Sequence, residues 1–263
     1  MPNPTFFAFE IIASPEVFIA AAAERTKHIR LGTGVTSLPY HHPLIVADRM
    51  VMLDHLTKGR TMLGVGPGAL VTDAYMLGID PTTQRPRMDE SLNVIMQLLE
   101  SEDPVTCKTD WFSMNEGQLQ MRPYTLPRFE VAVAAAQSPS GMVAAGKYGL
   151  GVLSVSIPRG GSIATNLSDF WKIAEETAAE HNKTVDRKEW RLVLHVFLAD
   201  TKKEAFAQAR EYAGRYQREY IEKTLGHPST VDDSADKIID AMVERGAWCV
   251  GTPDDLIDTI NRL

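Results

Sequence analysis

The sequence predicts an α/β protein whose central sheet is parallel and buried on both faces. Short, continuously apolar segments alternate with helical segments along almost the whole chain, and such strands are typical of sheets that helices cover on both sides. The first two apolar segments, residues 29–37 and 60–66, begin about 30 residues apart, which is the length of one strand–helix–strand crossover. We expect one domain over residues 1–263, built either as a doubly wound sheet or as a closed barrel.

Capping residues set the limits of the predicted helices. Ser14 and Pro15 form an N-cap and a first turn, Gly59 ends the second helix, and Pro86 fits the first turn of the third. The second helix also carries apolar residues at a period of about 3.6, which indicates one buried face. The predicted helices cover residues 15–27, 43–58, 83–99, 141–148, 167–181, 201–225, 235–245 and 253–263.

Five apolar segments are predicted to be the strands of one series, namely residues 29–37, 60–66, 129–135, 150–155 and 191–198. Each is short and rich in valine, leucine or alanine, as buried strands are. Residues 111–122 predict an irregular hairpin with Gly117 near its turn. The hairpin interrupts the series but leaves its alternation of strand and helix intact.

The composition excludes several classes of function. The formal net charge is −7 and lysine and arginine do not cluster, so the chain lacks the basic surface that nucleic acids or anionic membranes require. No apolar run approaches the roughly 18 residues of a membrane span. The first residues lack a signal-peptide pattern, and two cysteines are too few for a disulfide framework. We therefore expect a cytoplasmic protein with a small-molecule ligand.

Ligand-binding residues should follow the strands, because parallel α/β proteins bind ligands at the carboxyl ends of their strands. Three such segments are rich in glycine or small hydroxyl residues, namely 32–37, 64–68 and 138–141. Glycines let a planar ring approach the backbone, and free N–H groups at a helix start favour a phosphate. Each segment also fits an ordinary strand end, turn or N-cap, so only the three together indicate a cofactor site.

Three histidines are candidates for acid–base chemistry. His41 and His42 lie at a helix start close to a strand end, whereas His195 lies inside an apolar strand. Each has a structural alternative, which is capping or packing for the pair and a satisfied core position for His195. The sequence contains no spacing typical of a zinc site or of a serine nucleophile, so we expect no metal.

Several motifs, taken in order, resemble the luciferase-like, flavin-dependent monooxygenase superfamily. They are residues 30–43 (RLGTGVTSLPYHHP), 53–60 (LDHLTKGR) and 64–68 (GVGPG), followed late in the chain by the helix start at Gly251, Thr252 and Pro253. The resemblance covers residues 14–263. Each motif alone is weak, and it is their order and spacing that make the resemblance specific.

The resemblance implies a (β/α)8 barrel of the luciferase type, a TIM-like barrel that binds FMN or the deazaflavin F420 at its carboxyl-terminal face. It also implies a non-prolyl cis peptide at Gly34–Val35, which would shape a bulge behind the flavin ring. The resemblance assigns phosphate binding to Ser138, Ser140 and Gly141, and it assigns ring contacts to Thr33, Gly34, Val35, Gly66 and Ala69.

The sequence departs from the family pattern at three places. No Glu-His-His-like motif precedes Ser14, although the family's flavin chemistry is most often assigned to a histidine of that motif. Gly66 and Pro67 stand where luciferase has a reactive cysteine and a phosphate-binding arginine. The sequence also ends before the family's last strand and helix, so we expect a barrel that is incomplete at both ends.

The leading hypothesis is a two-component monooxygenase. It would oxidise a small apolar organic substrate with O2 and with reduced FMN from a separate flavin reductase. Two alternatives stay open: an F420-dependent hydride-transfer enzyme of the same superfamily, and a non-catalytic flavin-binding remnant, which the absent Glu-His-His motif favours. The family also suggests a homodimer or a larger assembly. His41, His42 and His195 are the candidate catalytic residues.

Overall fold

A computed structural model describes residues 11–135, 139–155, 167–226 and 235–263 of the chain. The helices are α1 (Pro15–Arg25), α2 (Pro43–Thr57), α3 (Val71–Met76), α4 (Gln84–Glu100), α5 (Ser140–Tyr148), α6 (Leu167–Glu180), α7 (Lys202–Tyr216), α8 (Ala235–Glu244) and α9 (Pro253–Arg262). Most lie close to their predicted limits. The helix predicted over 201–225 instead changes to a π-helical segment at Gln217–Thr224, and α3 was not predicted.

The strands are β1 (Leu31–Gly32), β2 (Thr36–Ser37), β3 (Thr61–Gly66), β4 (Val105–Lys108), β5 (Ser113–Gly117), β6 (Glu130–Ala134), β7 (Gly151–Val155), β8 (Trp190–Val193), β9 (His195–Leu198) and β10 (Trp248–Gly251). The main sheet is parallel in the order β1-β3-β6-β7-β8, and β2 also pairs with β3. The order of these strands across the sheet is the same as their order along the chain. A doubly wound sheet reverses this order at a switch point, so the uninterrupted order indicates a curled, incomplete barrel.

Two predicted strands are broken in the structure. The segment 29–37 divides into β1 and β2, and the peptide bond between them at Gly34–Val35 is cis, as the resemblance implies. The segment 191–198 divides at Leu194: β8 pairs with β7, whereas β9 pairs in parallel with β10. Because of this break, residues 190–198 pair with β7 on one side and with β10 on the other. The series of strands therefore extends to β10, which was not predicted.

The predicted hairpin is present but lies elsewhere. Strands β4 and β5 are antiparallel, and their turn covers residues 109–112 rather than the region of Gly117. The Thr109 hydroxyl accepts hydrogen bonds from the N–H groups of Trp111 and Phe112, which satisfies the turn without a glycine. Gly117 instead ends β5, opposite Val105.

Strand β3 has two faces of different character. Leu63 and Val65 are fully buried on the face that packs in the main core with side chains of α2 and α4. Gly64 and Gly66 lie on the other face, towards the barrel interior. A Cβ atom at Gly66 would lie 3.5 Å from that of Ala134 on β6, so small residues meet there. This face is closely packed, because a Cβ atom at Gly64 would collide with the carbonyl of Thr33.

The opposite end of the interior is closed by ion pairs. Glu130, at the start of β6, accepts from Arg30 at 2.7 Å and is also bound by the guanidinium of Arg191 on β8. Its carboxylate is almost fully buried. These contacts link strands that are not direct neighbours, and they fill the amino-terminal end with charge pairs and long side chains.

Candidate functional site

A cavity of about 690 Å³ opens at the carboxyl ends of β1 and β2. Its walls come from the start of α1, from α2 and α3, and from the π-helical segment, which contributes Tyr220 and Thr224. Three residues that the sequence singled out line it, namely Thr33, Val35 and His41. The cavity lies where parallel α/β proteins bind their ligands.

Thr33 holds the edge of the cavity to the sheet. Its hydroxyl accepts a hydrogen bond from the N–H of Gly64 at 3.0 Å and donates one to the carbonyl of Gly64 at 2.8 Å. Thr33 is buried, so both bonds are shielded from water. The hydroxyl is therefore fixed in the wall, and Thr33 positions the peptide that follows it.

That peptide is the cis bond of Gly34–Val35. Gly34 is exposed, and a Cβ atom built on it would meet no atom within 4 Å. The Val35 side chain turns the other way, so that a Cβ atom at Gly66 would lie 2.6 Å from its Cγ2. Only glycine at position 66 allows this close approach. The result is a bare stretch of backbone with a branched apolar side chain behind it.

Tyr40 and Gln84 form a polar pair in the same wall. The Gln84 amide donates to the Tyr40 hydroxyl at 2.8 Å and to the carbonyl of Pro67 at 3.0 Å. Gly68 has a φ of +91° and passes beside both groups. Burial, and next the negative charge of Asp73, raise the pKa of Tyr40, while the hydrogen bond from Gln84 opposes them. Tyr40 is therefore a neutral phenol at physiological pH.

His41 lies in the cavity wall near an ion pair. Arg49 on α2 donates to Glu16 on α1 at 3.1 Å. Partial burial, and next the Arg49 guanidinium, lower the pKa of His41, although Glu16 acts in the opposite direction. His41 is therefore the candidate histidine that the structure places in the cavity, and it lies there mainly as neutral imidazole.

The other two candidate histidines lie elsewhere. His42 caps α2, because its Nδ1 accepts from the N–H of Leu44 at 3.3 Å, and its Nε2 lies 3.3 Å from the carbonyl of Ser113. The ring of His195 lies 5.6 Å from that of Tyr216 and 5.9 Å from that of Trp248. These three rings line a separate, mostly apolar cavity of about 400 Å³. Neither histidine borders the larger cavity.

The predicted phosphate site is only partly described, because Ser138 lies outside the described residues. Ser140 begins α5 and Gly141 follows it in the first turn. The guanidinium of Arg85, on α4, donates to the Ser140 hydroxyl. A cation and the amino-terminal end of a nine-residue helix therefore meet at one point. Of the predicted ring contacts, Gly66 is buried against Val35, whereas Ala69 is exposed just beyond β3.

Sequence reasoning missed four residues of this region. Tyr40, Gln84 and Asp73 are ordinary residues whose proximity depends on how α3 and α4 fold back on the strand ends. Arg85 could have been found from the sequence. Pro67 stands where the family has a phosphate-binding arginine, so another cation nearby would be needed to bind the phosphate.

Among the described residues, histidine, cysteine and acidic side chains form no group of three or more that could hold a metal ion. Within the same residues, every helix is too short or too polar to cross a membrane.

Two characterised proteins match nearly the whole chain. One is the 4-hydroxyprotoasukamycin monooxygenase of Streptomyces nodosus subsp. asukaensis, with 46% identity over 95% of this chain and 67% of its own. The other is the limonene 1,2-monooxygenase of Rhodococcus erythropolis, with 46% identity over 97% of this chain and 64% of its own. The chain thus spans about two thirds of the length of these relatives.

A solved structure shares the fold. It is the oxygenating constituent of 3,6-diketocamphane monooxygenase from Pseudomonas putida in complex with FMN, with 26% identity and a TM-score of 0.74 over 95% of this chain and 73% of that one. This match confirms the predicted luciferase-like barrel. A family model described as luciferase-like monooxygenase matches residues 3–263. The chain therefore belongs to the luciferase-like monooxygenase family.

Proposed function

We propose that this chain is the oxygenase component of a flavin-dependent monooxygenase that uses reduced FMN and O2 to oxidise a small apolar organic substrate. The observation that carries the proposal is the bare backbone at Gly34–Val35, which faces open space beside the 690 Å³ cavity. The names of the two relatives at 46% identity, both monooxygenases, support the reaction type.

The residues present fit the flat ring of a flavin. Gly34 offers no side chain towards the open space, so a ring system could lie directly on the backbone there. Val35 is held from behind by its contact with Gly66, which gives the ring a fixed apolar support. Thr33 anchors this surface through its two bonds to Gly64. Thr33, Gly34, Val35 and Gly66 would therefore form one face of the ring site.

The residues at the start of α5 fit the phosphate of FMN. Ser140 supplies a hydroxyl, the first turn of α5 supplies N–H groups, and Arg85 supplies a positive charge beside Ser140. A phosphate dianion is stabilised by each of these groups. Arg85 would take the role of the family's arginine, which is absent at Pro67.

Reduced FMN, when bound, would supply the electrons that activate O2. The chain's own residues hold the substrate and keep water away. Val46, Met50 and Met76 give the cavity an apolar wall suited to a hydrocarbon skeleton. Tyr40 and His41 add two neutral polar groups to the same wall. Of the three candidate histidines, His41 lines this cavity, and it would exchange a proton with a bound ligand.

The proposal has three further parts, namely a reductase partner, a location in the cell and an oligomeric state. A separate reductase would supply the reduced flavin, and the solved diketocamphane enzyme, which is the oxygenating constituent of its monooxygenase, supports this. The free thiols of Cys107 and Cys249 suit the reducing cytoplasm. Exposed apolar side chains on α1 and α2, such as Phe18 and Met52, support a homodimer or larger assembly.

Anaerobic titration with reduced FMN tests the proposal, with F420 titrated in parallel. We expect saturable binding of reduced FMN, and no binding at concentrations on the order of tens of micromolar would contradict it. Tighter binding of F420 would favour the hydride-transfer alternative. Flavin binding without substrate-dependent O2 consumption, when a reductase is supplied, would favour the non-catalytic alternative.

A further inference from the structure

We propose that Tyr40 is a substrate-binding residue that donates a hydrogen bond to a neutral oxygen atom of the substrate. The substrate would be a small apolar molecule with one carbonyl, ether or hydroxyl oxygen. Gln84 would be a positioning residue that acts through Tyr40. This inference rests on the proposed function, because it names the substrate class of the same cavity.

The direction of the hydrogen bond between Gln84 and Tyr40 is the first observation. A side-chain amide nitrogen only donates, so the Tyr40 oxygen accepts at 2.8 Å. The same nitrogen donates to the carbonyl of Pro67 at 3.0 Å, which uses its second hydrogen and fixes the amide orientation. The hydroxyl hydrogen of Tyr40 must therefore be directed to a different acceptor, and Tyr40 lines the 690 Å³ cavity.

The fit between Gly68 and this pair is the second observation. A Cβ atom at Gly68 would collide with the Tyr40 hydroxyl and would lie 2.7 Å from Nε2 of Gln84. Its φ of +91° is also a conformation that other residues rarely adopt. The backbone therefore packs directly on the pair, and Gln84 is itself buried. The phenol ring is held in one orientation before any ligand binds, which is how binding sites avoid an entropic cost.

The charge beside Tyr40 defines the type of acceptor. Asp73 lies in the same cavity and acts on the phenol as a negative charge. A negative potential at the hydroxyl opposes a carboxylate or phosphate ligand there, whereas it leaves a neutral acceptor unaffected. The wall of the same cavity includes Val46, Met50 and Leu70, which suit an apolar skeleton, and its one described cation, Arg49, is paired with Glu16. Together these groups select a neutral, largely hydrocarbon molecule with one oxygen.

The test compares two probes with one skeleton, the ketone menthone and the hydrocarbon p-menthane. Their dissociation constants are measured by equilibrium dialysis on the chain without flavin. We expect Tyr40→Phe to weaken menthone binding about tenfold relative to p-menthane, as the loss of one hydrogen bond does. Tyr75→Phe is the matched control, because Tyr75 is exposed on α3 and does not line the cavity. An unchanged ratio in Tyr40→Phe, or no menthone binding by the original chain, overturns the proposal.

A second variant tests the direction of the hydrogen bond. In Gln84→Glu the new carboxylate accepts from the Tyr40 hydroxyl and draws its hydrogen away from the cavity. We expect the same relative loss of menthone affinity although the Tyr40 side chain is intact. Preserved discrimination in Gln84→Glu would overturn the positioning role of Gln84.

The dialysis is independent of the flavin, so the two proposals fail separately. A chain that binds reduced FMN but shows no effect of Tyr40→Phe refutes the inference alone. A chain that discriminates the probes through Tyr40 but binds no flavin refutes the proposed function and leaves the binding role of Tyr40 supported. Thermal unfolding of each variant shows that the fold is retained.

Discussion

The hydroxyl of Thr33 forms two hydrogen bonds with the backbone of Gly64, one to its N–H at 3.0 Å and one to its carbonyl at 2.8 Å. The ladder between β1 and β3 ends at Gly32 and Met62, so this side chain continues the pairing for one more residue. It does so immediately before the cis peptide at Gly34–Val35. The Thr33 side chain thus keeps this segment attached to β3 at the point where the backbone leaves the ladder between β1 and β3.

Replacing this hydroxyl tests how much the attachment contributes. In Thr33→Val the shape is nearly kept, but the buried N–H and carbonyl of Gly64 lose their partner. We expect the free energy of unfolding to fall by about 2–4 kcal/mol, measured by urea denaturation. Thr184→Val is the control, because Thr184 is exposed in a loop. Equal stabilities of the two variants would show that the Thr33 bonds are not needed.

Arg85 is predicted to recognise the phosphate of FMN. Arg85→Gln removes the charge beside Ser140, so we expect FMN binding to weaken about ten- to a hundredfold, as the loss of a charge-assisted hydrogen bond does. Riboflavin has the same ring without the phosphate, and its affinity should not change. Fluorescence titration with both flavins measures the two affinities.

The control for this prediction is Arg25→Gln, since Arg25 is exposed at the end of α1 and far along the chain from α5. Its affinity for both flavins should equal that of the original chain. An equal loss of FMN and riboflavin affinity in Arg85→Gln would mean that Arg85 supports the fold or the ring site rather than the phosphate.

Local rules explain why the helices could be predicted. Ser14, Pro15 and Gly59 carry capping and termination signals that act within one turn, and the structure places helix ends there. At Thr252 the helix start is a complete capping box with Asp255. By contrast, β10 was missed because its four residues are too few to show a period.

The candidate site was predictable only where its chemistry lies in the backbone. Glycine-rich segments indicate positions where another group can pack directly on the backbone. Gly66 is such a position, because Val35 packs against it. The pair of Tyr40 and Gln84 gave no such signal, because neither residue is unusual in its own segment. Their contact exists only after α4 folds back against the end of β3, and no local pattern encodes that packing.

His41 should make stability depend on pH. Its pKa is lowered in the folded chain by burial and by Arg49, so the unfolded chain binds a proton more readily. Stability is therefore fully present above the ordinary value of 6.5 and declines as the pH falls through 6.5 towards the lowered pKa.

The measurement is the melting temperature from pH 8 to pH 5 for the original chain and for His41→Gln. We expect His41→Gln to lose less stability than the original chain as the solution is acidified. His28→Gln serves as a histidine replacement outside the cavity. Parallel curves for His41→Gln and the original chain would contradict the role of His41.

His195 is a candidate catalytic residue whose position in an apolar strand also fits a core histidine, and its surroundings favour this structural role. Its ring contacts those of Tyr216 and Trp248 away from the larger cavity. Two aromatic contacts contribute about 1–3 kcal/mol, so His195→Ala should lower the melting temperature, whereas His195→Phe keeps a ring and should lower it less. Both variants should bind reduced FMN as the original chain does. Loss of substrate oxidation in His195→Phe, with folding and flavin binding intact, would instead place His195 in the chemistry.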